Sequence, residues 1–166
     1  MGNLSAFMRG FADVVRLPAP APRPCDLEKL LEDILFLLRP EMERRRIAFS
    51  LASTWKEPVV LDKNQIEQVL MNVFRNAVEA IDHGGRIDVS LREERGRACL
   101  EVLDTGCGVS PDARQHLFTP FYTTKRDGRG LGLTVVREIL TRHRFEFGLL
   151  PRPEGGAAFR IVFGGP

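Results

Sequence analysis

The sequence predicts an α+β fold, a two-layer sandwich in which one sheet is covered on one face by helices. Two observations predict this class: the strand-like segments come in pairs, and amphipathic helical segments separate the pairs. Strict alternation of single strands with helices is absent, which disfavours a doubly wound parallel sheet. A chain of 166 residues with 43% hydrophobic content is long enough for one domain with a buried core.

The overall composition disfavours several classes of function. The net charge is only +2 and the arginines form no long basic stripe, so we expect no nucleic-acid partner. The three cysteines, Cys25, Cys99 and Cys107, have no CxxC spacing, which argues against disulfides and zinc and favours a reducing, cytoplasmic location. No apolar run approaches the roughly eighteen residues of a membrane span, so we expect no membrane contact by this segment.

The first predicted helix covers residues 3–16, where apolar residues recur at helical spacing. Its apolar face could pack on this domain or on a partner helix, because a proline-rich run follows at residues 17–24. Alternating prolines prevent helix formation and favour a stiff, extended connector. We therefore separate residues 1–17 from a linker at residues 18–25 and from a main domain at residues 26–166.

Three more helices and three pairs of strands are predicted in the main domain. Asp26 caps the first of these helices, and Pro40 falls near its end. Asp62, with Gln65 three residues later, is a capping-box pattern for a long helix that reaches about Ile81. The last helix is predicted at residues 131–142. The strands are predicted at residues 47–51, 59–61, 86–92, 98–103, 145–150 and 157–163.

Asn72, Asn76 and Glu79 form one polar column on the long helix, because spacings of four and three residues place side chains on the same face. Asparagine is a poor helix former, so two of them on one face indicate more than solvation. An amide oxygen suits Mg²⁺, which takes its other ligands from phosphate and water. Exposed asparagines without a ligand role are the alternative.

Two glycine-rich turns are the other candidate binding elements. The first, residues 104–108, follows a predicted strand. Its Asp104 could cap the turn or accept a hydrogen bond from an amino group such as that of adenine, while Gly106 and Gly108 would let a base approach the backbone. The second turn, residues 128–133, opens the last helix, where free N–H groups and the helix dipole suit phosphate.

The loop before the second turn, residues 117–125, combines aromatic residues, hydroxyl groups and Lys125. It could be a mobile lid over phosphates, a surface loop anchored by Phe118 and Phe121, or both. A Walker A pattern is absent from the sequence, so the phosphates would not be held by a P-loop.

Together these motifs resemble those of the GHKL ATPase superfamily. Residues 72–80 resemble its N box, residues 104–108 its G1 box, residues 117–121 its F box and residues 128–133 its G2 box. The closest resemblance is to the catalytic ATP-binding domain of bacterial sensor histidine kinases, and residues 5–8 and 16–24 are similar to the nitrogen-regulation type. The resemblance implies the Bergerat fold, with a mixed, mostly antiparallel sheet of about five strands covered on one face by three helices.

The resemblance also implies roles for individual residues, with ATP between the long helix and the lid. Asn76 would bind Mg²⁺ and Asn72 would lie beside the phosphates, and these two are the predicted catalytic residues. Asp104 would bind the adenine amine in a pocket shaped by Gly106 and Gly108. The other predicted ATP-binding residues are Phe118, Thr124, the lid cations Lys125 and Arg129, and Gly130, Leu131 and Gly132, whose amides would meet the phosphates.

The activity implied is transfer of the ATP γ-phosphoryl group to a histidine, with a response regulator as the downstream partner. No His-Glu phosphoacceptor box occurs in the sequence. We therefore expect the phosphoacceptor and dimerisation domain to belong to a parent protein, with residues 1–17 as part of its second helix. Glu79 is a departure, since some members carry a phosphate-contacting cation there. Ala157 and Ala158 are another, since a threonine often lies near the base at this place.

Two other functions remain open from the sequence. One is a different GHKL protein, such as an anti-sigma serine kinase or an ATPase that closes as a dimer. ATPases of this kind carry a water-activating glutamate where Asn72 stands, so hydrolysis is disfavoured. The other is a non-catalytic, nucleotide-sensing module whose first helix binds a partner.

Overall fold

The computed structural model describes residues 17–123 and 130–164 of the chain. The predicted first helix at residues 3–16 lies outside the described residues, and so do the predicted lid residues Thr124, Lys125 and Arg129. The described residues nevertheless include nearly all of the predicted main domain and the whole of the proline-rich linker.

Helices and strands follow one another in the order that the sequence predicts, with boundaries that differ by a few residues. The described helices are α1 (Leu27–Arg44), α2 (Lys63–Ala80), α3 (Pro111–Arg114) and α4 (Gly132–Arg142). The described strands are β1 (Arg23–Cys25), β2 (Ile47–Ser53), β3 (Val59–Leu61), β4 (Gly85–Glu94), β5 (Arg97–Asp104), β6 (Glu146–Pro151) and β7 (Ala157–Val162). The four-residue α3 and the short strand β1 are additions to the predicted elements.

Side-chain caps start three of the four described helices. Asp26 accepts a hydrogen bond from the Lys29 amide at 3.0 Å, and Asp62 accepts one from the Gln65 amide at 3.1 Å. Ser110 does the same for α3. Each cap satisfies an amide that the helix itself cannot pair, which is why these residues fix the helix starts.

Helix α1 continues past Pro40 to Arg44, so the proline does not end it. A proline inside a helix removes one backbone hydrogen bond. Leu38 and Met42 on either side of Pro40 are buried in the core, and their burial holds the last turn in place.

One mixed, five-stranded sheet forms the first layer of the sandwich. Its strand order is β2-β4-β5-β7-β6, in which β2 and β4 are parallel and the other neighbours are antiparallel. Strands β1 and β3 form a separate antiparallel pair. The predicted mixed, mostly antiparallel sheet of about five strands is therefore confirmed.

The long helices α1, α2 and α4 form the second layer, and the core lies between them and one face of the sheet. Helix α2 contacts α1, α4 and β5, so it is the central helix of the layer. The side chains that fill this interface are almost fully buried, among them Leu31, Ile66, Leu70, Phe74, Ile87, Leu100, Ile139 and Ile161. The prediction of one sheet covered on one face by three helices is confirmed.

The other face of the sheet carries charged side chains from different strands, and these form ion pairs with one another. These ion pairs are Arg92 with Glu101 at 2.7 Å, Arg97 with Glu146 at 2.7 Å, and Arg160 with Glu94. Paired charges of this kind are compatible with a solvated face. In the part of the chain that the structure describes, none of the helices has the length and hydropathy needed to cross a membrane.

Candidate functional site

Asp104 is the last residue of β5, and it is 7% exposed. Its Oδ1 accepts hydrogen bonds from the Gly106 amide at 2.8 Å and from the Ala157 amide at 3.3 Å. Within the described residues both donors to this carboxylate reach Oδ1, so Oδ2 is left as an acceptor for an incoming amino group. Burial raises the pKa of the Asp104 carboxyl, while the two amides and Arg152 act in the opposite direction.

Glycines allow three backbone segments to meet around Asp104. A Cβ on Gly106 would lie 2.5 Å from the carbonyl oxygen of Ala80, at the end of α2. A Cβ on Gly156, which has φ of 83°, would lie 1.9 Å from the carbonyl oxygen of Asp104. Neither distance is possible for a real side chain, so both positions require glycine. The turn after β5 is thereby packed between α2 and the β6–β7 turn.

Hydrogen bonds hold the same three segments together. Arg152 Nη1 donates to the carbonyl oxygen of Asp104 at 2.8 Å, and the Arg152 amide donates to the carbonyl oxygen of Gly156 at 3.2 Å. On the other side of the turn, the Cys107 amide donates to the carbonyl oxygen of Ala80 at 3.0 Å. The carboxylate of Asp104 is therefore fixed in position by α2, β5 and the β6–β7 turn together.

A second group of candidate residues lies where α2 meets the start of α4. Asn72 Nδ2 donates to the carbonyl oxygen of Gln68 at 2.9 Å. A Cβ on Gly132 would lie 2.9 Å from Asn72 Oδ1, so the glycine permits the close approach of the two helices here. Two of the predicted phosphate ligands, Asn72 and Gly132, are thus neighbours in the fold.

The N-terminus of α4 differs from those of α1, α2 and α3, because no side chain of the described residues caps it. The N-cap position is held by Leu131, which is apolar and buried. The first amides of α4 and the positive end of its dipole form a suitable anion site beside Asn72. Thr134, in the first turn, has a buried hydroxyl with no hydrogen-bond partner within the described residues.

Asn76 is half-buried one turn after Asn72 on the same helix. In the described ranges there is no group of three or more His, Cys, Asp or Glu residues that could hold a metal ion. A divalent cation bound by Asn76 would therefore take most of its ligands from phosphate and water. Neutral amide oxygen with phosphate and water is a donor set that fits Mg²⁺.

Two described residues of the predicted lid, Phe118 and Phe121, contact the domain. The ring of Phe118 packs edge-on against Phe147 of β6, with ring centroids 5.5 Å apart. The Phe121 amide donates to the carbonyl oxygen of Gly130 at 2.9 Å. Gly130 has φ of 65°, and a Cβ there would lie 2.4 Å from the carbonyl carbon of Phe121. Phe121 and Gly130 are therefore held in contact with each other.

The structure places the predicted ligands in two groups and leaves their roles as predictions. Asp104, Gly106 and Gly108 form one group, and Asn72 with Gly132 and the neighbouring Gly130 and Leu131 forms the other. Sequence reasoning missed four residues around these groups, namely Ala80, Arg152, Gly156 and Thr134. The family resemblance had pointed to Ala157, whose amide donates to Asp104 Oδ1. The consecutive glycines at 155–156 were the available signal, while Ala80 contributes a backbone carbonyl oxygen, which has no side-chain signature.

Comparisons with known proteins agree with this geometry. The family model described as "Histidine kinase-, DNA gyrase B-, and HSP90-like ATPase" matches residues 61–164, a range that contains both groups. The chain is similar to the C4-dicarboxylate transport sensor protein DctS of Rhodobacter capsulatus, with 34% identity over 160 residues that cover 93% of this chain and 24% of DctS. It is also similar to the nitrogen regulation protein NtrY of Azorhizobium caulinodans, with 28% identity across 98% of this chain and 22% of NtrY.

The chain spans about a quarter of the length of these two relatives. Among solved structures, the nucleotide-free catalytic domain of histidine kinase ThkA matches with a TM-score of 0.79 and 26% identity, over 86% of this chain and 95% of that domain. The match covers nearly all of the ThkA domain. The predicted resemblance to catalytic domains of sensor histidine kinases is therefore confirmed.

Replacing Gly156 with alanine should strongly destabilise the fold, because the new methyl group would lie 1.9 Å from the Asp104 carbonyl oxygen. We expect the free energy of unfolding to fall by on the order of 4 kcal/mol. Gly155→Ala is the matched control, since Gly155 also has positive φ, 94°, but nothing lies within 4 Å of its Cβ. The control should lose only about 1–2 kcal/mol from backbone strain. Urea unfolding measures both free energies. If the two variants lose the same amount, the contact with the Asp104 carbonyl oxygen is not the reason that position 156 requires glycine.

Replacing Asp104 with asparagine should change how stability depends on pH. Folding raises the pKa of Asp104 above its ordinary value of 3.8, so the contribution of this one group to the stability of the wild type falls as pH rises from that value through the raised pKa. Asparagine does not titrate. The free energy of unfolding of the variant, relative to wild type, should therefore increase through this pH window and then stay constant. Urea unfolding of both proteins at a series of pH values measures this difference in the free energy of unfolding. A variant that becomes less stable relative to the wild type as pH rises would contradict the expectation.

Proposed function

Because this chain belongs to the histidine kinase-, DNA gyrase B-, and HSP90-like ATPase family, we propose that it is the ATP-binding catalytic part of a sensor histidine kinase. It transfers the γ-phosphoryl group of ATP to a histidine on a phosphoacceptor domain of the same parent protein. Similarity over nearly the whole chain to the sensor protein DctS, and to the catalytic domain of histidine kinase ThkA, supports this proposal.

The observation that carries the proposal is the presence of two chemically different binding groups around α2. Asp104 offers a buried carboxylate oxygen to an amino group, beside a glycine turn that leaves room against the backbone. The uncapped start of α4, beside Asn72, offers amides to an anion. A purine that carries an exocyclic amine and is joined to a polyphosphate matches both groups, and ATP has this chemistry.

The residues of this chain contribute mainly by positioning. Phosphoryl transfer needs an in-line arrangement of the reacting groups and neutralisation of the phosphate charge. Asp104 would hold the base, and Gly132 with the first turn of α4 would hold the phosphates. Mg²⁺, bound in part through Asn76, would supply charge neutralisation. Asn72 has a neutral amide and cannot act as a general base, so this position favours transfer to an acceptor over hydrolysis.

The partners and compartment follow from the same proposal. The parent protein supplies the phosphoacceptor and dimerisation domain, which residues 1–17 would continue, and a response regulator receives the phosphoryl group afterwards. The linker would comprise residues 18–25 and the catalytic domain residues 26–166. Three free cysteines support a reducing, cytoplasmic compartment.

Incubating this chain with γ-labelled ATP, Mg²⁺ and the separate phosphoacceptor fragment tests the proposal. We expect acid-labile label on a histidine of the fragment. Asn76→Ala should lower the rate of labelling by about a hundredfold or more, because it removes the protein ligand of the cation. Asn64→Ala is the matched control, since Asn64 is exposed in the first turn of the same helix and should leave the rate unchanged.

Two results would overturn these assignments. If the wild-type chain binds ATP measurably but no histidine is labelled, the kinase proposal fails and a nucleotide-sensing module is indicated. If Asn64→Ala and Asn76→Ala slow the reaction equally, or if neither does, the assignment of Mg²⁺ to Asn76 fails.

Asp104→Asn should weaken ATP binding while preserving the fold. The variant keeps Oδ1 for the Gly106 and Ala157 amides, but an amide N–H replaces the second oxygen and faces the adenine amine, which is also a donor. We expect the affinity for ATP to fall about 10- to 100-fold. GTP presents a carbonyl oxygen at this place, so the preference for ATP over GTP should shrink. Calorimetric titration with both nucleotides measures this, and an unchanged ATP affinity would place the base elsewhere.

A further inference from the structure

The proline-rich segment is hydrogen-bonded to the domain where the N-terminus of α2 meets the C-terminus of α4. Three contacts join the backbone of this segment to side chains of the two helices. They are Arg142 Nη1 to the Leu17 carbonyl oxygen at 2.6 Å, Gln65 Nε2 to the Pro18 carbonyl oxygen at 3.0 Å, and the Ala21 amide to Asp62 Oδ2 at 2.9 Å. We call these three contacts the linker latch.

The side chains of the linker latch are themselves held in place. Arg142 Nε donates to Glu138 Oε1 at 2.7 Å, one turn earlier on α4. Asp62 accepts from the Gln65 amide through Oδ1, so its other oxygen is directed by the helix cap. Gln65 is only 5% exposed, and its Oε1 has no partner among the described residues. Buried glutamine is uncommon, and among the described residues the hydrogen-bond partner of this side chain is the Pro18 carbonyl oxygen of the linker.

A histidine makes the two helix ends into one unit. His143 Nε2 accepts a hydrogen bond from the Asp62 amide at 3.1 Å, and its Nδ1 lies 2.8 Å from the Ile139 carbonyl oxygen. The C-terminus of α4 is thereby attached to the N-terminus of α2. Helix α4 has 11 residues and is therefore about 16 Å long, with Gly132 beside Asn72 at its other end. The linker latch and the phosphate end of the site are joined by rigid elements.

Few contacts are enough to hold this segment, because it has little freedom to lose. Four prolines alternate with other residues between positions 18 and 24, and each fixes its own φ. Ordering a stiff, extended chain costs less conformational entropy than ordering a flexible one. The segment then continues into β1, which pairs with β3. Residues 17–25 thus follow a fixed path along the domain.

We propose that the linker latch sets the direction in which the chain leaves the catalytic domain, and that Arg142, Gln65 and Asp62 are positioning residues for phosphoryl transfer within the parent protein. This rests on the proposed function. Transfer within one protein depends on the orientation of the nucleotide site relative to the phosphoacceptor histidine. The linker latch restricts that orientation. Transfer to a separate phosphoacceptor fragment needs no linker and should not depend on it.

Amide hydrogen exchange on this chain tests whether the latch forms. Arg142→Ala and Gln65→Met each remove one latch contact, and Arg137→Ala removes an exposed arginine of the same helix as a control. We expect exchange at residues 17–25 to rise several-fold in both latch variants and to stay unchanged in the control. The affinity for ATP should remain that of the wild type in all three.

Phosphorylation assays then test the positioning role. In the parent protein, Arg142→Ala should lower the rate of self-phosphorylation about tenfold, with unchanged KM for ATP. With a separate phosphoacceptor fragment, the same variant should match the wild type, and Arg137→Ala should match it in both assays.

Each other result has a definite meaning. Unchanged exchange in both latch variants would overturn the latch itself. Raised exchange with an unchanged or increased rate in the parent protein would overturn the positioning role. If the wild type labels no histidine in either assay, the proposed function fails and the positioning role fails with it, while the exchange measurement still decides whether the latch forms.

Discussion

The packing of α2 between α1, α4 and the sheet is the constraint on which both binding groups depend. Its inner face is fully buried through residues such as Leu70 and Phe74, so the helix cannot shift without opening the core. The groups that α2 presents to the two binding groups, at Asn72 and at Ala80, therefore stay at a fixed distance from each other. Asn72 meets the start of α4, and the Ala80 carbonyl oxygen closes the turn after β5. A single well-packed helix thus sets the distance between the two groups.

The buried carboxylate of Asp104 costs the fold stability, although the proposed function requires it. Burial disfavours its charged form and raises its pKa, so an uncharged residue would suit the fold better at neutral pH. The surrounding backbone gives Oδ1 two amide donors, and the proposed function assigns Oδ2 to the adenine amine. A bound amino group would supply a hydrogen-bond donor to this buried carboxylate and so offset part of the cost of burying it. The glycines at 106 and 156 serve the same purpose, since they allow backbone to surround the carboxylate.

Local patterns in the sequence predicted most of the fold because they report periodicity and capping directly. Asp62 and Gln65 predicted the start of α2 correctly, and the glycine turns lie where the two groups of predicted ligands meet the backbone. The parallel pairing of β2 with β4 has no local signature, and the family resemblance implied only that the sheet is mixed. The approach of Gly156 to Asp104 joins residues far apart in the chain, and no spacing rule reveals it. The contact between Arg142 and Leu17 was missed for the same reason.

The uncapped start of α4 has a consequence for the nucleotide cycle. Helices α1, α2 and α3 carry permanent caps from their own side chains, whereas α4 has none among the described residues. On the proposed function, the phosphates of a bound nucleotide accept hydrogen bonds from the first amides of α4. The first turn of this helix is then stabilised only while the nucleotide is bound. A missing cap is worth about 1 kcal/mol. Loss of the terminal phosphate would destabilise the first turn of α4, and the ADP that remains would therefore bind the domain less tightly than ATP.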